Sequence, residues 1–108
     1  MSEEQRIQRI AERIVRIKAE LQEIGPMRPG SLTRQYRHPE NRTGAFRQIS
    51  YTRRMKGRSE YVRPEWVSEL RKQIAAHKRF KRLIEQWIDL SIEHSKLSMQ
   101  VANVRRDE

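Results

Sequence analysis

The chain has 108 residues, 35% of them hydrophobic and 35% charged, with a net charge of +10 and no Cys. That length predicts a single domain, 1–108, with a modest core and no deep enclosed pocket. No stretch reaches the ~18 consecutive apolar residues of a spanning helix, and the lack of Cys excludes thiolate zinc sites and cysteine nucleophiles while fitting a reducing cytoplasm.

The first element is a helix predicted over 3–24. Ser2 with Gln5 forms a capping-box pattern, and Glu3 and Glu4 suit the positive end of the helix. Ile7, Ile10, Ile14, Ile17, Leu21 and Ile24 follow a three-four spacing that places them on one stripe of the coiled-coil type. Arg and Glu interrupt these apolar residues, so they do not form a secretory signal. Gly25 in a left-handed conformation and Pro26 are expected to stop the helix.

Residues 25–44 hold three of the four Pro and three of the four Gly, without a helical or strand period. They predict a loop of about twenty residues, a length that is uncommon in a compact domain unless the loop is functional. From Ala45 to Arg63, β-branched and aromatic residues alternate with Arg, which predicts a β-hairpin over 45–63. With Lys56-Gly57 as its two-residue turn, Arg53 would face Glu60 and Tyr51 would face Val62. Such a ribbon is marginal alone and has to lean on a helix or a second hairpin.

Pro64 suits a first helical position, and a long helix is predicted over 65–104. At ~1.5 Å per residue it would measure roughly 60 Å, against about 33 Å for the first helix. Leu83, Trp87, Leu90, His94, Leu97 and Val101 continue a four-three stripe, widened by Ile84, Ile88 and Ile92. The length mismatch leaves apolar surface that points to an oligomer. Ile7, Ile10, Ile14, Ile17, Leu21, Leu83, Trp87, Leu90, His94, Leu97 and Val101 are the expected interface of a homodimer or higher homo-oligomer. The expected fold is α+β, mostly α: N-terminal helix, long loop, β-hairpin and long C-terminal helix in an antiparallel, coiled-coil frame.

Ten of the 24 Lys and Arg fall between Arg28 and Arg63, where Glu40 and Glu60 are the only acids; ten less two leaves +8. The cations are Arg28, Arg34, Arg37, Arg42, Arg47, Arg53, Arg54, Lys56, Arg58 and Arg63, interleaved with aromatic residues, Tyr36 and Tyr51 among them. Guanidinium groups grip phosphate as a fork and stack on bases, and aromatic rings add stacking surface. These twelve residues are the predicted nucleic-acid-binding set, with DNA favoured over RNA, and an acidic protein surface is the alternative partner. No phosphate-loop, dinucleotide or triad signature occurs, and the block lacks the clustered carboxylates of metal-dependent nucleases. A non-enzymatic protein without cofactor or metal is therefore expected.

Gly25-Pro26, Pro29-Gly30-Ser31-Leu32, Tyr36-Arg37, Tyr61-Val62 and the run from Arg79 to Ser95 resemble an uncharacterised family of small bacterial and archaeal proteins. Those relatives share a Pro-Gly-Ser-Leu segment, a hairpin and a long C-terminal helix, and accompany transposases and other mobile elements. The family brings no established activity; joined to the basic block, its association with mobile elements gives the expectation of a DNA-binding accessory of a mobile element or phage. Where similar proteins carry a Cys cluster after Tyr-Arg, this chain has His38-Pro39-Glu40-Asn41-Arg42, so the family's thiolate clip is not carried over.

Overall fold

Ser2 caps the first helix as its sequence predicts. Its hydroxyl accepts from the Gln5 backbone N–H at 3.1 Å while the Gln5 side chain accepts from the Ser2 N–H at 3.1 Å, satisfying two of the free donors of a helix start. In the computed structural model, which describes residues 1–107, this helix is α1, Glu3–Gln22. Its end differs in mechanism from the expectation: Gly25 has no positive φ. Instead the Glu23 and Ile24 N–H groups donate to Glu20 and Leu21 at 3.1 and 3.2 Å, a tightened last turn before Pro26 removes the next donor.

Three strands follow: β1, Ser31–His38; β2, Thr43–Arg53; and β3, Lys56–Val62. They form one antiparallel sheet in the order β1-β2-β3. A single 3-10 turn, Pro64–Trp66, then leads into α2, Val67–Asp107, which runs without interruption past His77 and Lys78. The architecture is α+β and mostly helical.

The described residues are organised as two compact units, one of 1–24 with 79–107 and the other of Gly25–Lys78. In the first, α1 lies antiparallel to the later part of α2. Ion pairs Glu23 with Arg79 at 3.9 Å, Arg6 with Glu93 at 3.0 Å and Glu4 with Arg105 at 2.8 Å mark that direction, and Lys18 sits 5.1 Å over the Trp87 ring. Ile10, Ile17, Leu83 and Leu97 are buried, and Ile7, Ile14, Leu21, Trp87, Leu90, His94 and Val101 are half-buried. The residues expected at an oligomer interface thus pack within the chain. What stays exposed lies beside Trp87 on α2, where Ile88, Ile92 and Met99, with the half-buried Ile84, line a shallow apolar surface.

In the second unit, Ile49, Val62, Leu70 and Ile74 form the core, with Leu32 and Val67 packed on it. Ile49 is its only fully buried side chain among the described residues. The expected 25–44 loop is overturned here: β1 and the start of β2 occupy half of it. Leu32 pairs with Ile49 across the strands and shares its buried face, so burial of alternate residues outweighs the turn-forming composition around them. Gly30 makes this close approach workable. Its φ is +138°, and a Cβ there would stand 2.9 Å from both Ile49 Cγ1 and the Ser50 carbonyl oxygen.

Candidate nucleic-acid interface

The β2–β3 register departs from the expectation and decides which residues stand opposite the cations. The turn is Arg54-Met55, with φ of 52° and 66°, the left-handed pair of a type I′ hairpin. Arg53 therefore pairs with Lys56, Tyr51 with Arg58, Ile49 with Glu60 and Arg47 with Val62. Gly57, expected in the turn, sits inside β3. The I′ twist matches the right-handed twist of the strands, and this register puts Val62 on the same face as Ile49.

Side chains alternate along each strand, so the pairing sorts the basic block between two faces. The face turned to α2 carries the core and, beyond it, Arg34, Arg47, Arg53, Lys56 and Arg58. Two like-charged pairs stand directly opposite across strands, Arg34 with Arg47 and Arg53 with Lys56. Opposed like charges destabilise a sheet, yet no carboxylate among the described residues lies within ion-pair distance of any of these five. Arg53, Arg54, Lys56 and Arg58 surround a shallow hollow of about 430 Å³ at the β2–β3 turn.

A second basic end forms at the β1–β2 turn. The Asn41 and Arg42 N–H groups donate to His38 and Pro39 at 3.3 and 3.4 Å, the Thr43 hydroxyl donates to Asn41 at 2.7 Å, and Arg42 holds a φ of 54°. Arg37 lies on the face away from α2, its stem laid across Gly44, where a Cβ would stand 3.0 Å from Arg37 Cβ. Arg63 follows directly after β3 and is exposed, as are Arg34, Arg37 and Arg42.

Arg28 and Tyr51, both in the predicted set, meet at Glu60. Arg28 pairs with Glu60 at 2.5 Å and its guanidinium stands 5.2 Å over the Tyr51 ring, while the Tyr51 hydroxyl donates to Glu60 at 2.8 Å. The Arg28 hydrogen bond holds the Glu60 carboxyl below the usual carboxylate range, assisted by that of Tyr51. The same bond raises Arg28 against the opposing effect of its partial burial. The Arg28 N–H also donates to the Gln73 carbonyl at 3.1 Å, fastening the segment before β1 to α2. Tyr36 is half-buried opposite Ala45 on the α2-facing side.

Two aromatic residues outside the predicted set occupy the open face instead. Phe46 and Tyr61 have ring centroids 6.3 Å apart, tilted by 46°, and Tyr61 is 57% exposed. Only the I′ register reveals them as neighbours: with Tyr51 opposite Val62, as expected, Phe46 would lie beyond the end of the hairpin, whereas pairing Gln48 with Tyr61 sets the two rings diagonally across β2 and β3. Among the described residues no group of three or more His, Asp or Glu is placed to hold a metal ion, and no helix is long and apolar enough to cross a membrane.

In comparisons with protein-family models, curated proteins and solved structures, nothing matches this chain.

Proposed function

We propose that the sheet of the second unit binds nucleic acid, DNA in preference to RNA, through its unpaired cations. The observation that carries this reading is the pair of opposed like-charge couples, Arg34 with Arg47 and Arg53 with Lys56, kept without a carboxylate partner. A sheet that retains repulsion of this kind gains when a polyanion neutralises it. The cations at the β2–β3 turn supply one phosphate grip, and Arg34, Arg37 and Arg42 towards the β1–β2 turn supply a second. The protein acts by binding, without catalysis, in the cytoplasm. An accessory role for a mobile element or phage rests on the resemblance carried by Pro29-Gly30-Ser31-Leu32 and the long C-terminal segment. If two copies pair, the exposed Ile88, Ile92 and Met99 of α2 offer a surface for it, and the block is then presented twice.

The test is binding of duplex DNA over a range of salt concentrations. Log K should fall against log salt with a slope of about −0.9 per phosphate neutralised, and Arg53→Glu with Arg54→Glu should flatten that slope and weaken binding. Binding that is weak and indifferent to salt overturns the reading. Equal retention of an acidic polypeptide would point to an acidic protein surface as the partner.

A further inference from the structure

The two faces of the sheet differ in kind. The face turned to α2 holds the core and the opposed cations. The other face, which no element of this unit covers, is made of Ser, Thr and Gln with Arg37 as its single charge along the strands, and it presents Phe46 and Tyr61. Across the strands Gln35 stands directly opposite Phe46, and Gln48 directly opposite Tyr61. Each ring therefore has a primary amide beside it on the same face. An amide donates and accepts at once, which suits the mixed edges of a nucleobase.

We infer that this open face holds an unpaired nucleic-acid strand, with successive bases stacked on Phe46 and Tyr61 and their edges met by Gln35 and Gln48. The inference rests on the nucleic-acid reading above and adds which form of nucleic acid the sheet takes. Duplex DNA hides the faces of its bases, so rings on a sheet face gain nothing from it, whereas an unpaired strand offers every base for stacking. The rings, 6.3 Å apart, are separate enough to take two different bases. Cations flank the path: Arg37, held down over Gly44, and Arg63, exposed two residues beyond Tyr61. A neutral glycan could use the rings and amides but would leave these guanidinium groups without a counter-charge.

The experiment measures anisotropy of labelled oligo(dT), oligo(rU) and a duplex of equal length with the full chain. Tyr61→Ala and Phe46→Ala should each weaken binding of both single strands by roughly 5- to 150-fold, the effect of losing one stacked base. Duplex affinity should stay near that of the parent, because phosphate contacts carry it. Tyr61→Phe keeps the ring and should keep the affinity. Circular dichroism establishes that each variant is folded; Phe46 is half-buried, so if its variant unfolds, the exposed Tyr61 decides. The inference is overturned if Tyr61→Ala leaves single-strand affinity unchanged, or weakens duplex binding equally. It fails alone when Arg53→Glu with Arg54→Glu abolishes salt-dependent binding and ring removal does nothing. Salt-independent binding of every probe removes the wider reading as well.

Discussion

The Arg28 guanidinium closes on the Glu60 carboxylate at 2.5 Å and covers the Tyr51 ring, whose hydroxyl takes the second carboxylate oxygen. One of the two acids in the basic block is thereby committed to holding the segment before β1 against the sheet. The surrounding cations keep their charge available.

This link has a defined pH dependence. The folded-state pKa of Glu60 lies below its ordinary 4.5, so the unfolded chain binds the proton first and stability rises with pH in that window. The contribution is complete above 4.5 and is lost as pH falls through the depressed value. Urea midpoints taken across the acid range should therefore decline more steeply for the parent than for Glu60→Gln. The two should converge at the acid end, and parallel curves would contradict the link.

The β2–β3 turn stores strain. Arg54 and Met55 both have positive φ, a conformation that costs a side-chain-bearing residue about 1 kcal/mol or more, and Met55 is 98% exposed, so packing returns nothing. Replacing them together by Arg54→Asn and Met55→Gly should raise stability by about 1–2 kcal/mol. The same variant should bind DNA less tightly, with a salt slope shallower by about 0.9. Stability and binding move in opposite directions, which thermal melts and salt titrations of one variant can check.

Gly30 and Gly57 make a matched comparison. Gly30→Ala brings a Cβ to 2.9 Å from Ile49 and from the Ser50 carbonyl at a φ of +138°, and should lower stability by roughly 1–3 kcal/mol. Gly57→Ala meets nothing within 4 Å and should be neutral or stabilise by about 0.4–1 kcal/mol. Chemical denaturation of the two variants side by side should give opposite signs.

The core of the second unit depends on one side chain. Ile49 is fully buried against Val62, Leu70 and Ile74, so Ile49→Ala should cost about 2–5 kcal/mol. Denaturant unfolding measures it, and a cost below ~1 kcal/mol would mean that the sheet does not pack on α2 as described.

Helices were legible from local signals. The Ser2 and Gln5 box, the Ile stripe with Ile10 and Ile17 at its buried centre, and the unbroken run after Pro64 each encode their element within a few residues. β1 was not legible, because Arg34 and Gln35 interrupt its apolar residues and its justification lies in Ile49, seventeen positions beyond Leu32. The hairpin register misled because Lys56-Gly57 has a turn composition, whereas the strain at Arg54 and Met55 leaves no mark in the sequence. The partner of Arg53 moves from Glu60 to Lys56, four positions, and an even shift preserves which face each residue occupies. Hence Tyr51, Arg53 and Arg58 share the face that the sequence assigned, while their opposite neighbours differ. Phe46 and Tyr61 belong to the other parity and become neighbours only in the I′ register of β2 and β3, with β1 adding Gln35 opposite Phe46.

A sheet ordered β1-β2-β3 has two open edges, each a row of backbone groups on which another chain could template. Charged side chains are a recurrent guard against such edge-to-edge growth, and here Arg34 and Arg37 stand on one edge strand, Lys56 and Arg58 on the other. A polyanion that neutralised these cations would also disarm that guard. Solubility of the complex should then depend on the ratio of nucleic acid to protein, with the greatest tendency to precipitate near charge neutrality.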